Sequence, residues 1–94
     1  MNPIFLHLGC GDRILPGFIN IDSNPGADIQ LDLTQPLPWS DNTVDGIYSE
    51  HFIEHLTQAQ GIGLLHQARR ILKPGGIIRI ATPDLAEAIR DYTN

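Results

Sequence analysis

Residues 4–12, read as IFLHLGCGD, decide the fold of this 94-residue chain. A short apolar run ends abruptly on the turn Gly9-Cys10-Gly11. Such runs are typical of parallel strands that are buried on both faces. Glycines directly after a strand let a ligand approach the backbone at the carboxyl end of the sheet, where open α/β folds bind ligands. The stretch therefore predicts a buried strand followed by a ligand-binding turn.

The other apolar runs predict a layered α/β domain. Further strands are expected at residues 18–22, 28–31, 44–49 and 77–81. Thr57 and Gln60 match a capping box at the start of a helix, and Lys73-Pro74-Gly75-Gly76 is expected to stop that helix. Thr82-Pro83 resembles the start of a last helix.

The order of these elements favours a doubly wound, mostly parallel sheet of about five strands in one domain, residues 1–94. One connection is unusually short. Parallel crossovers usually need about a dozen residues or more, most often a helix. Only residues 10–17 separate the first two strands. We interpret this as a crossover whose helix is nearly absent.

The amino-acid composition limits the classes of function that the chain can have. The net charge is -5, from 11 acidic and 6 basic residues, which argues against a nucleic-acid-binding face. The clustered bases Arg69, Arg70 and Lys73 fit the last turn of a helix. The single cysteine excludes an internal disulfide and a CxxC metal site. No apolar run reaches the roughly 18 residues of a membrane span. We therefore expect no membrane association and a cytoplasmic location.

The glycine turn does not match the dinucleotide fingerprint, because Ile14 stands where GxGxxG needs its third glycine. Two acidic residues follow predicted strands. Asp22 is placed to accept the two hydroxyls of a ribose, and Asp32 to accept from an adenine amino group. The alternative for both is a turn aspartate that caps local backbone groups.

Histidines and the cysteine offer further chemistry. His51, Glu54 and His55 spell H-x-x-E-H, the order of an inverted zinc-protease motif. No third ligand is evident, so we assign no metal. These residues are expected instead to line a pocket or to cap a turn. His7 is interpreted as a hydrogen-bonded core histidine, and Cys10 as a small side chain where backbone approaches ligand.

Four segments carry a family resemblance: LHLGCGD, INID, LDLTQPLPWSDNTVDGIYSEHFIEHL and ARRILKPGGIIRIATPDL. Together they resemble the class I S-adenosylmethionine-dependent methyltransferases, and more closely the methyltransferase type 11-like subgroup with a shortened first crossover. The resemblance covers about residues 5–85. It implies a Rossmann-like sheet, S-adenosylmethionine as the cofactor, and a structural turn at residues 73–76.

The resemblance also implies roles for residues. The glycine turn would face the methionine part of the cofactor, Asp22 the ribose and Asp32 the adenine. The implied cofactor-binding residues are Gly9, Cys10, Gly11, Asp22, Asp32, Leu33, Ser49 and Glu50. No catalytic residue is implied. If the acceptor must lose a proton, the candidates are His51 and His55.

The sequence departs from the family pattern in places. Family members often carry an acid at His7 and a further glycine at Arg13. Their sheet usually continues with two more strands after the fifth, whereas this sequence stops at Asn94. We therefore expect a truncated sheet, and either an incomplete domain or a homodimer formed through the exposed sheet edge.

These observations support two main hypotheses. The first is a methyltransferase that transfers a methyl group from S-adenosylmethionine to an unknown acceptor. The alternative is a non-catalytic cofactor-binding or assembly module of truncated methyltransferase fold. A zinc hydrolase is a third hypothesis, which rests on the H-x-x-E-H pattern alone.

Overall fold

A computed structural model describes residues 2–81 of the chain, which form a five-stranded sheet in the order β3-β2-β1-β4-β5. Every neighbouring pair is parallel. The strands are β1 Phe5–Leu8, β2 Ile19–Asp22, β3 Ile29–Gln30, β4 Val44–Glu50 and β5 Leu72–Ala81. A 3-10 turn, Ile53–His55, and the helix α1, Gln58–Ile71, connect β4 to β5. The predicted Rossmann-like sheet is confirmed; the predicted last helix lies outside the described residues.

The short connection between the first two strands does join parallel neighbours. Leu6 of β1 is in register with Ile19 of β2, and residues 9–18 contain no helix. The interpretation of a crossover without its helix is therefore confirmed. The described chain then forms β3 beyond β2 and returns to the other side of β1 to form β4.

The buried side-chain amide of Asn20 holds the short connection in place, where most parallel crossovers have a helix. Asn20 is 1% exposed, and its Oδ1 accepts from the backbone N–H of Leu15 and from Nδ1 of His7, both at 2.9 Å. Its Nδ2 donates to the carbonyls of Leu15 and Phe18 at 3.1 and 3.2 Å, and to Asp28 Oδ2 at 2.8 Å. Because every polar atom of the amide has a partner, its burial costs little. The connection is thus tied to the sheet by hydrogen bonds.

The helix α1 covers one face of the sheet. Both arms of the predicted capping box are present: Thr57 Oγ1 accepts from the Gln60 N–H, and Gln60 Oε1 accepts from the Thr57 N–H. Buried positions recur at helical spacing and face the strands. The core cluster is Leu6, Leu8, Ile21, Leu33, Leu37, Val44, Ile47, Leu64, Ala68 and Ile71.

The loop between β3 and β4 is fastened to the end of α1. Arg70 donates to the carbonyls of Trp39 and Leu37 at 2.9 and 2.8 Å, and it pairs with Asp41 at 2.8 Å. Trp39 packs against the core. Lys73 pairs with Asp45 at 3.1 Å. Arg70 and Lys73 therefore tie the loop and β4 to neighbouring elements. Arg69 and Arg70 lie in the last turn of α1, as predicted, whereas Lys73 belongs to β5, because the helix ends at Ile71.

Two strand predictions were wrong in extent. β5 begins at Leu72 instead of residue 77, because Leu72 already pairs with Val44 and the strand absorbs Lys73-Pro74-Gly75-Gly76 as an irregularity in the pairing. Gly75 has φ +84°, a conformation that suits glycine. β3 is only the two residues Ile29–Gln30. Within residues 2–81, no helix has the length and apolar character that a membrane span requires.

Candidate functional site

The direction of strand addition reverses between β1 and β4. These strands are neighbours, with Leu8 opposite Ser49, although β2 and β3 lie between them along the chain. In open parallel sheets, ligands bind in the crevice outside the carboxyl ends of the strands at such a reversal. The crevice beyond Leu8 and Ser49 is therefore the candidate site, and we call it the switch-point crevice.

The glycine turn follows β1 at this crevice. The N–H groups of Gly9 and Cys10 both donate to the carbonyl of Ile21, at 2.8 and 3.1 Å. The N–H of Arg13 donates to the carbonyl of Cys10 at 2.9 Å, which closes a tight turn. Gly9 and Gly11 have φ of +70° and +55°. Both glycines are therefore in the left-handed region that other residues adopt only with strain.

The two glycines differ in what faces them. A Cβ atom added to Gly9 would lie 2.1 Å from Cγ of Phe52, so the Phe52 ring packs directly on the Gly9 backbone. A Cβ atom added to Gly11 would have no neighbour within 4 Å. The open approach to the turn is therefore at Gly11.

Cys10 is 5% exposed, and its Sγ donates to the Gly11 carbonyl at 3.5 Å. Burial and then the nearby charge of Asp22 raise the pKa of the thiol above its usual value. A thiol that stays protonated is a poor nucleophile. Its burial agrees with the predicted role of a small side chain in the turn.

Asp22 ends β2 beside the turn and is 8% exposed. Its Oδ2 accepts from the N–H of Gly11 at 2.9 Å, and its Oδ1 accepts from the N–H of Asn24 at 3.0 Å. The turn-capping alternative is thus what the structure shows for this residue. A carboxylate has about four acceptor positions, so capacity for a ligand hydroxyl remains. Ribose binding by Asp22 stays a prediction.

Asp32 lies beyond β3 and is exposed. Its Oδ1 accepts from the hydroxyl and the backbone N–H of Thr34, at 2.6 and 2.9 Å. These bonds, the hydroxyl first, lower the pKa of the Asp32 carboxyl. Leu33 beside it is 5% exposed and belongs to the core. The predicted adenine contacts of Asp32 and Leu33 stay predictions.

Ser49 and Glu50 end β4 at the crevice. Ser49 is 3% exposed, and its Oγ donates to the Leu8 carbonyl at 3.0 Å, which ties β4 to β1. Glu50 forms an ion pair with Arg13. Burial first, and then the nearby charge of Glu50, raise the pKa of the Tyr48 phenol. The structure thus brings Glu50, Arg13 and the glycine turn together.

The H-x-x-E-H segment is not on one helix. Only Ile53–His55 is helical, as a single 3-10 turn, and His51 has φ +52°. His51 Nδ1 lies 3.6 Å from Glu54, and its N–H donates to the Ala81 carbonyl at 2.9 Å. The shared helix face that a zinc pair would need therefore does not form. In the part of the chain that the structure describes, no three or more His, Cys, Asp or Glu side chains cluster as metal ligands.

His7 is 1% exposed and lies far inside the sheet, with Nδ1 bonded to Asn20 Oδ1. Its ring lies 5.5 Å from that of Tyr48, tilted by 45°. The interpretation as a satisfied core histidine is confirmed. Because Asn20 Oδ1 can only accept, Nδ1 of His7 is the donor in this bond.

Sequence reasoning missed three residues that shape the site. Asn20 stands in the run FINID at a buried position, and a polar residue in such a strand signals a hydrogen-bond hub. Phe52 has the apolar character of a packing residue, but its contact with Gly9 was not predicted, because it depends on the path of the chain after β4. Arg13 was noted only as a departure from a family glycine, although its charge at the turn pointed toward a partner.

Comparisons with known proteins identify the family. A family model described as "Methyltransferase domain" matches residues 19–80, which is well over half of the chain. The chain belongs to this methyltransferase domain family. The match begins at β2 and ends within β5, so the family assignment does not depend on the glycine turn itself.

Among solved structures, a protein of Methanococcus maripaludis described as a candidate S-adenosyl-L-methionine-dependent methyltransferase has the same fold. The TM-score is 0.62 at 19% sequence identity, over 97% of this chain and 54% of that one. The chain thus spans about half the length of that protein. No curated protein matches. Both similarities agree with the cofactor that the sequence resemblance implies, S-adenosylmethionine.

Proposed function

We propose that this domain binds S-adenosylmethionine in the switch-point crevice and transfers its methyl group to an acceptor. The observation that carries the proposal is the construction of the glycine turn. Its N–H groups are held by the Ile21 carbonyl and by the Asp22 carboxylate, so that Gly11 is presented at the crevice. Membership of the methyltransferase domain family supports the same function.

The residues present fit such a cofactor. When bound, S-adenosylmethionine supplies an electrophilic methyl group on a positively charged sulfur. Gly11 leaves open space for a ligand, whereas Phe52 occupies the space at Gly9. Asp22 keeps acceptor capacity for a ribose hydroxyl beside the turn. We infer that the ligand approaches over Gly11 and that Phe52 supports the turn from the other side.

Catalysis in this proposal is largely positioning. Holding a donor and an acceptor in reacting geometry supplies much of a barrier reduction without any general base. His51 is exposed, with 60% of its side chain accessible, so it can meet an acceptor that must lose a proton. The acceptor stays unidentified. Cofactor binding without methyl transfer would favour the alternative of a non-catalytic module.

Calorimetric titration with S-adenosylhomocysteine tests the proposal. The wild-type chain is expected to bind, and Asp22→Ala to weaken binding about tenfold or more, because a ligand hydroxyl loses a charged acceptor. Asp22→Asn keeps one carbonyl oxygen and should weaken binding less. Asp32→Ala serves as the matched exposed acid, with a smaller effect. Circular dichroism must show that each variant stays folded. Absence of binding by the folded wild type would refute the proposal.

Self-association and location are also part of the proposal. β5 is the longer of the two outer strands of the sheet formed by residues 2–81, with 10 residues against the 2 of β3, and an outer strand presents unpaired backbone groups. We propose that two copies pair through this edge and that the protein is cytoplasmic. Sedimentation is expected to show a dimer; a clean monomer at high concentration would contradict the pairing.

A further inference from the structure

An ion pair crosses the switch-point crevice. Arg13 belongs to the turn after β1, and Glu50 is the last residue of β4. Their side chains meet, Nη1 of Arg13 with Oε2 of Glu50. Since β1 and β4 are the two strands that flank the crevice, this pair lies at the place where a ligand of such a sheet binds.

The pair contributes little to stability. Arg13 is 61% exposed and Glu50 23% at the side chain, and exposed ion pairs are worth about 0–1 kcal/mol. The fold therefore does not require these two charges to be joined. A ligand that offers a partner to each charge can replace the pair at small cost.

The two charges are held differently. Glu50 is held by the sheet, because it is the last residue of β4 and is paired with Ala81 of β5. Tyr48 of the same strand is packed beside His7 and Phe18, with ring centroids 5.5 and 6.4 Å apart. Arg13 reaches Glu50 from the exposed end of the turn that carries Gly11. Glu50 is thus held by a strand on one side of the crevice, whereas Arg13 is held by the glycine turn on the other side.

We propose that Arg13 and Glu50 bracket the amino-acid end of the cofactor, with Arg13 binding its carboxylate and Glu50 its ammonium group. An α-amino acid end carries both charges, so the single ion pair is exchanged for two and no charge is left unpaired. Guanidinium is suited to a planar carboxylate, which it binds through two parallel hydrogen bonds. This inference rests on the proposed function and adds to it the residues that select an amino-acid-bearing ligand.

A simpler role gives the opposite result. If the pair only closes the crevice, removing either charge opens it and strengthens the binding of every adenosine ligand alike. If the pair brackets the amino-acid end, removing a charge weakens only those ligands that carry the matching group. Ligands that differ at this end therefore separate the two roles.

The test titrates three ligands: S-adenosylhomocysteine, its decarboxylated amine, and methylthioadenosine, which lacks the whole amino-acid end. Arg13→Gln is expected to weaken S-adenosylhomocysteine about tenfold and to leave the other two unchanged. Glu50→Gln is expected to weaken both S-adenosylhomocysteine and the amine about tenfold and to leave methylthioadenosine unchanged. These factors correspond to one charge-assisted hydrogen bond each.

Arg69→Gln, at an exposed position on α1, is the matched control and should leave all three affinities unchanged. Equal changes for all three ligands in the Arg13 and Glu50 variants would overturn the bracket while leaving the proposed function in place. Wild-type protein that binds none of the three would overturn both. Wild-type binding of methylthioadenosine as tight as that of S-adenosylhomocysteine would also overturn the bracket.

Discussion

The two connections that join neighbouring parallel strands, β1 to β2 and β4 to β5, are built in different ways. Between β4 and β5 the chain forms a 14-residue helix that covers the sheet with buried apolar side chains. Between β1 and β2 it forms no helix, and a single buried amide, Asn20, gathers the connection through hydrogen bonds. The backbone polar groups of a parallel crossover must be hydrogen-bonded. A helix does this within itself, whereas in the short crossover the side chain of Asn20 does it.

The two connections also differ in how completely apolar side chains cover the sheet beside them. Leu64, Ala68 and Ile71 of α1 bury one face, each less than 5% exposed. On the side of the short crossover, Phe5 and Phe18 lie 5.8 Å apart at their ring centroids, and Phe5 is still 37% exposed. The hydrogen-bonded side is therefore less well covered, and its stability depends on Asn20 more than on apolar burial.

The largest expected effect is at that amide. Asn20→Leu removes every side-chain partner of the connection and leaves the Nδ1–H of buried His7 and the N–H and carbonyl of Leu15 without their hydrogen bonds. We expect a loss of about 4 kcal/mol in the free energy of unfolding, measured by urea unfolding. Asn24→Leu, the same change at an exposed turn position, should cost less than about 0.5 kcal/mol. A loss below about 1 kcal/mol at Asn20 would show that the hydrogen bonds do not organise the crossover.

On the helical side, Ile71→Ala tests apolar packing. Ile71 is fully buried at the end of α1, so truncation leaves a cavity and costs about 3 kcal/mol. Ile62→Ala, on the same helix at a position that is 48% exposed, should cost well under 1 kcal/mol. Equal losses at the two positions would contradict the packing of α1 on the sheet.

Alanine substitutions at the two glycines of the turn after β1 are expected to lower the free energy of unfolding by different amounts. Gly9→Ala should cost about 2 kcal/mol, since it combines a positive φ with a clash against Phe52. Gly11→Ala has the positive φ alone and should cost about 1 kcal/mol. In a Phe52→Ala background the difference between them should shrink. An unchanged difference in that background would show that Phe52 does not pack on Gly9.

Features that depend on local sequence were predicted, whereas features that depend on the order of the strands in the sheet were not. The helix with its capping box, the buried strands and the parallel pairing of β1 and β2 were predicted, because periodicity and glycine turns encode them locally. The extent of β5 was not, since its pairing through Lys73-Pro74-Gly75-Gly76 depends on β4. At the site, the turn and Asp22 were predicted as neighbours. The Arg13–Glu50 pair was not, because it arises only from the sheet order.

The smallest effect concerns pH. The backbone N–H and the side chain of Asn20, in that order, hold the pKa of Asp28 below the ordinary aspartate value of about 3.9. A lowered folded-state pKa stabilises the fold above about pH 3.9, and this contribution is lost as pH falls through the folded-state value. The urea midpoint of Asp28→Asn should therefore fall less between pH 7 and pH 3 than that of the wild type. Asp45→Asn is the counterpart on the helical side, because the Ile4 N–H and then Lys73 lower the pKa of Asp45. Asp28→Asn with the same pH dependence as the wild type would separate Asp28 from the hydrogen-bonded crossover, which would then rest on Asn20 alone.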